Sequence, residues 1–135
     1  MGWPPPLFED RSTAEQIIGA IVIAMIFGLI TGLALGWNGV AFWILAGPIA
    51  IAGGFVGGME HLTPGDGFVR GAIGGLVFGS FTLLGLEILD TEPKAYLAEP
   101  QVGFAIATTV IGAVLGALGA AYRASIERRG AEPAA

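Results

Sequence analysis

The chain of 135 residues has no cysteine, one histidine and only six basic residues. Each shortage excludes something. Without cysteine there is no disulfide framework, no thiolate metal site and no cysteine nucleophile. The single histidine, His61, cannot give bis-histidine haem ligation within one chain, and no CxxCH attachment site is present. Six Lys and Arg stand against eleven Asp and Glu, a net charge of −5. Phosphate neutralisation needs clustered cations, so nucleic acid is not an expected partner. The only basic cluster is Arg123, Arg128 and Arg129. No Ser-His-Asp set and no zinc spacing appears. The run from Gly67 to Gly79 lacks the GK[ST] ending and the preceding strand of a phosphate-binding loop. No metal site is expected, and an enzyme is the least expected class.

The largest shortage is of charge. Charged residues make up 13% of the chain, against about 25% in a soluble domain. Hydrophobic residues make up 54%, and mean hydropathy is +0.76. These values place the chain in the membrane class, with the lipid bilayer as its first partner, and its length fits one domain. Residues 1–16 hold three consecutive prolines, Glu9, Asp10 and only Arg11 as a cation, unlike the basic lead of a secretory signal. The first apolar run is therefore expected to be retained as a span.

Four apolar segments follow, over about residues 17–35, 40–59, 68–86 and 102–122. Each is about 19 to 21 residues, which crosses about 30 Å of hydrocarbon at about 1.5 Å per residue. Ser12 followed by Glu15 predicts a capping box before the first span. Trp37 and Asn38 predict a short turn, and Pro48 predicts a kink in the second span. Residues 124–135 read as a charged, frayed tail. The expected fold is all-α: an integral membrane bundle of four transmembrane helices.

Lys and Arg placement sets the expected orientation. Four spans put both termini and the middle loop on one side. That side carries Arg11, Arg70, Arg123, Arg128 and Arg129, and the other carries only Lys94. Both termini are therefore expected in the cytoplasm, the membrane being a bacterial inner membrane.

What the chain has in abundance is glycine, 23 residues of it, spaced four apart within the spans. Gly28 and Gly32, Gly53 and Gly57, Gly71, Gly75 and Gly79, and Gly112 and Gly116 form such GxxxG ladders. A soluble helix avoids glycine, at about 1 kcal/mol relative to alanine. In lipid, glycine lets two helix backbones approach closely, so these residues are expected to be the packing faces. Gly53/Gly57 and Gly54/Gly58 lie about 100° apart on the second span, one face more than a small bundle needs. That surplus favours a homo-oligomer or a larger membrane complex. A shift of 51 positions aligns Gly28 with Gly79 and Thr31 with Thr82; a shift of 59 aligns Gly53 with Gly112. A hairpin duplicated once would produce this, and so would chance among Gly-rich and Leu-rich segments. The glycine spacing over residues 54–79 resembles that of the mitochondrial inner-membrane import channel subunits. The arginine-then-aspartate signature of those proteins is missing, since the fourth residue after Arg70 is Gly74. Nothing is carried over from them.

Few polar groups remain as candidates for chemistry. Glu60, His61, Asp66 and Arg70 cluster in the middle loop, where they could gate a path or bind a ligand. The plainer reading is an interfacial loop, with Glu60 in water, Asp66 at a helix start and Arg70 on lipid phosphates. Thr31 and Thr82 could line a pore, or bond back to their own helices. His61 could ligate a haem or chlorin; no cofactor is required. The leading expectation is a non-enzymatic structural or accessory subunit of a membrane complex, working through its glycine faces. A small oligomeric channel or transporter is the alternative, and a pigment- or haem-binding subunit the third.

Overall fold

The computed structural model describes residues 2–133. Met1 and the last two residues of the expected tail lie outside the described residues. Four helices carry the fold: α1 (Thr13–Trp37), α2 (Gly39–Gly58), α3 (Pro64–Leu89) and α4 (Val102–Ala131). Each is long and apolar enough to cross a membrane.

The helix starts are written locally. Ser12 and Glu15 form the predicted capping box, each side chain answering the other's backbone N–H. The Asn38 carboxamide oxygen accepts from Val40 N and Ala41 N, separating α1 from α2. Thr63 caps α3, with Pro64 in its first turn. Helix α2 runs on through Pro48. Three helices exceed their predicted spans, α1 running over Thr13–Trp37 where about residues 17–35 were expected. Helix α3 begins at Pro64 rather than near residue 68, because the Thr63 cap and Pro64 start it a turn early. Helix α4 continues to Ala131, where a frayed tail was expected from residue 124. The Arg123–Glu127 pair, one helical turn apart, supports that extension.

Contacts at the glycines reveal the helix order. A Cβ placed on Gly71 would overlap the carbonyl oxygen of Gly112; one on Gly67 would overlap that of Gly116, and one on Gly75 that of Thr108. Partner numbers fall as α3 rises, so α3 and α4 are antiparallel and in backbone contact. On its other side α3 meets α1. Gly28 faces Phe78, Gly32 faces Thr82 and Gly85, and Gly36 faces Leu86 and Leu89. These numbers rise together, so α1 and α3 are parallel neighbours. Helix α2 runs parallel to α4, with Phe42 beside Phe104, Gly54 on Leu115 and Met59 O bonded by Arg123.

The two ends differ. At one end, Leu35, Phe42, Ala46 and Leu86 form an apolar core, closed by Ala95, Leu97 and Phe104. The connection between α3 and α4 folds back over this end, Lys94 N donating to Leu35 O at 2.8 Å. The other end gathers the N-terminal segment and the last turns of α4, joined through Arg123 to the carbonyl of Pro5. The N-terminal segment and the end of α4 therefore sit at one end of the bundle.

Candidate functional site

Arg11, Glu60 and Arg70 come together below the N-terminal segment. Glu60, just past the end of α2, has a side chain 9% exposed. Its Oε1 lies 3.0 Å from Arg11 Nη2 and its Oε2 lies 3.7 Å from Arg70 Nε. One carboxylate thus faces two guanidinium groups. Its place in water, expected above, is corrected here: Glu60 is buried. Such a carboxylate is held by attraction to both cations, since an unpaired buried charge would cost several kcal/mol.

Arg70 is set deeper than a phosphate anchor would be. Its side chain is 11% exposed, and its Nη2 donates to Gly19 O at 2.8 Å. Gly19 lies in a widened turn of α1 over Ile18–Val22, where Ile23 N reaches back five residues to Ile18 O. Gly57 of α2 and Gly74 of α3 flank the guanidinium. A Cβ on Gly57 would stand 3.5 Å from its Cζ, and one on Gly74 would stand 3.1 Å from its Nη1. Arg70 Nε is buried without a hydrogen-bond acceptor, its ion pair being too long for one.

The N-terminal segment closes over this cluster. Phe8 N donates to Glu60 O at 2.8 Å, and Gln16 Nε2 donates to the carbonyls of Phe8 and Arg11. Phe8 stacks on the His61 ring at a centroid distance of 5.2 Å. Arg123, only 7% exposed, donates to Pro5 O and Met59 O and pairs with Glu127 at 2.8 Å. It ties the segment to the end of α2, supplying cationic donors where the last helical carbonyls lack partners.

His61 sits under Phe8 with Nε2 buried and without a partner. Burial pushes its imidazole below the ordinary histidine range, outweighing the opposite pull of the Glu60 and Asp66 carboxylates. Asp66 stays apart from the ion cluster. Its carboxylate accepts from the Thr63 hydroxyl at 2.6 Å, within the cap of α3. No group of three or more metal-ligating side chains occurs among the described residues.

Thr31 and Thr82 are both fully buried. Each hydroxyl donates to the carbonyl four residues back, Phe27 O at 2.7 Å and Phe78 O at 2.8 Å. Neither lines a cavity described below. Of the other candidate residues, Gly28, Gly32, Gly71, Gly75, Gly79, Gly112 and Gly116 lie against a neighbouring helix, Gly57 faces Arg70, and Gly53 has nothing within 4 Å of its Cβ position.

Two cavities meet at Arg70. One, of about 590 Å³, lies under the N-terminal segment and is lined by Phe8, Glu60, His61, Asp66 and Arg70 among others. The other, of about 330 Å³, lies within the bundle and is apolar apart from Arg70 and Thr108. Arg11, Gly19, Phe8 and Arg123 complete this end of the molecule, and no motif in the sequence connects them. Their separations along the chain, 51 residues for Gly19–Arg70 and 118 for Pro5–Arg123, leave no local signal. The one available hint was the concentration of rare arginines at predicted span ends. Comparison with family models, with curated proteins and with solved structures gives no match.

Proposed function

We propose that this protein is a non-enzymatic accessory subunit of a membrane complex, in which α2 receives a transmembrane helix of another subunit. The observation that carries this reading is the exposure of α2. Only 11% of its apolar stretch is buried, against 28% in each of the other three helices. It nevertheless contains Gly47, whose Cβ position has nothing within 4 Å. Glycine in a helix costs about 1 kcal/mol, and close approach of a second backbone is what offsets that cost in lipid. Ile44 and Ile51, 65% and 61% exposed, flank it on neighbouring turns and supply area for contact. The glycine ladders inside the bundle belong to the same reading: they make α1, α3 and α4 a rigid support from which α2 is presented.

A hairpin duplicated once is part of this proposal. Thr31 and Thr82 play the same part in α1 and α3, and α1–α3 and α2–α4 are both parallel pairs. So is orientation with both termini in the cytoplasm of a bacterial inner membrane, since five of six Lys and Arg lie in the segments of the termini end.

Native mass spectrometry from membranes tests the reading. A stoichiometric second subunit or second copy, lost in Gly47→Leu, is the expected result. A clean monomer for the unaltered chain would sink it. The second reading, a gated path, is favoured by the junction of the two cavities at the Glu60–Arg70 pair. It requires ion flux in liposomes that changes in Glu60→Gln.

A further inference from the structure

We infer that the bundle cavity is a binding site for an anionic amphiphile, an acyl chain whose carboxylate or phosphate head pairs with Arg70. The cavity has the shape of such a molecule. Its lining runs along α3 from Arg70 to Phe78, eight residues and about 12 Å at the helical rise. The charge stands at one end and the remainder is apolar but for Thr108. The floor is buried, from Gly71 and Phe78 of α3 and Gly112 of α4. The rim is exposed, from Ile23 and Phe27 of α1 and Pro48 and Gly53 of α2. The cavity therefore opens between α1 and α2, at the depth where acyl chains lie.

The head-group end favours an anion. Arg11 and Arg70 share the single carboxylate of Glu60, and Arg11 holds it more closely, at 3.0 Å against 3.7 Å. The cluster thus carries one positive charge in excess in a site of low dielectric. Arg70 Nε has no acceptor, while Nη2 is held by Gly19. A buried guanidinium that is neither fully paired nor fully bonded is costly, and an arriving carboxylate or phosphate supplies both charge and acceptors. Gly57 and Gly74 keep the guanidinium free of side chains on two sides. This inference is independent of partner docking, which uses Gly47, a residue outside the cavity lining.

The experiment is a titration of the delipidated full chain in non-ionic detergent with dodecanoate and, separately, with dodecanol, followed by native mass spectrometry. Dodecanoate should bind once per chain and at least tenfold more tightly than dodecanol. Arg70→Gln should reduce that preference at least tenfold. Gly53→Leu, which fills the open side without touching Arg70, should block both ligands and leave the helical circular dichroism unchanged. Equal binding of dodecanoate and dodecanol by the unaltered chain would overturn the inference even if Arg70→Gln fails to fold. Saturable dodecanoate binding that survives Gly53→Leu would also overturn it. Lipid nanodiscs then identify the source of the head group. Displacement of dodecanoate by phosphatidylglycerol but not phosphatidylcholine supports a bilayer phosphate. Displacement by neither supports a free single-chain carboxylate.

Discussion

Gly71 and Gly112 are each other's nearest obstacle: a Cβ on either would overlap the other's carbonyl oxygen. The seam between α3 and α4 is closed by backbone against backbone at this pair, and Gly67–Gly116 repeats it one turn away. Packing of this kind has no flexible side chain that can move aside, so it is sensitive to single methyl groups.

Gly71→Ala is expected to destabilise the bundle by about 3 kcal/mol, at the upper end of ordinary overpacking, because the obstacle is main chain. Gly53→Ala, where nothing lies within 4 Å, should be neutral or slightly stabilising. Thermal unfolding of both variants in detergent measures the difference. Equal melting temperatures would show that the α3–α4 approach does not limit stability.

Glu60→Gln leaves Arg11 and Arg70 facing each other without a carboxylate. Removing one member of a buried ion cluster costs about 3 to 5 kcal/mol when the remaining charge stays buried. A large drop in melting temperature is expected, with partial recovery in Glu60→Gln/Arg11→Gln. A single variant as stable as the unaltered chain would mean that water already reaches the cluster.

Arg123→Gln removes the guanidinium that holds Pro5 O and Met59 O. Charge-assisted bonds of this kind are worth about 1.5 to 3 kcal/mol each. The N-terminal segment should open more often, and trypsin should cleave after Arg11 at least tenfold faster. Unchanged cleavage would place the anchoring of the segment in Phe8 and Gln16 instead.

His61 gives a pH dependence of known sign. Its folded-state affinity for a proton is lowered by burial, so the unfolded chain protonates first as pH falls. Its contribution to stability is fully present above about pH 6.5, the unfolded value, and declines below it. His61→Phe keeps a ring against Phe8 and should flatten the stability profile below about pH 6.5. An unchanged slope in that variant would assign the dependence to the carboxylates.

Thr82→Val separates the two functional readings. The Thr82 hydroxyl is bonded to its own helix, so its loss should cost about 0.6 kcal/mol and leave any ion flux unchanged. Altered flux would put Thr82 on a path and favour the channel reading.

The helices were legible because their causes are local. Ser12 with Glu15, and Asn38, each set a boundary through contacts within four residues; Thr63 and Pro64 do the same for α3, although its start was expected near residue 68. The far end of α4 was misjudged because charge in residues 123–132 reads as a tail. In the fold that charge serves the helix: Arg123 pairs with Glu127 one turn on. The middle loop was legible as polar, and Asp66 as a helix-start residue. The burial of Glu60 was not legible, since it depends on Arg11, 49 positions earlier, and on the segment that covers both.

The sequence by itself determined the class, the number of apolar spans and the Ser12–Glu15 cap. Each of these follows from hydropathy over a window or from hydrogen bonds between near neighbours. Only the tertiary structure decided which glycines meet, Gly71 with Gly112 and Gly32 with Gly85, and which stay open, Gly47 and Gly53. It also decided that Arg70 turns inward to Gly19 O instead of outward to phosphate. The physical reason is that four similar apolar helices can pair in several ways. The choice among them rests on backbone distances between residues far apart in the chain, and neither composition nor spacing contains those distances.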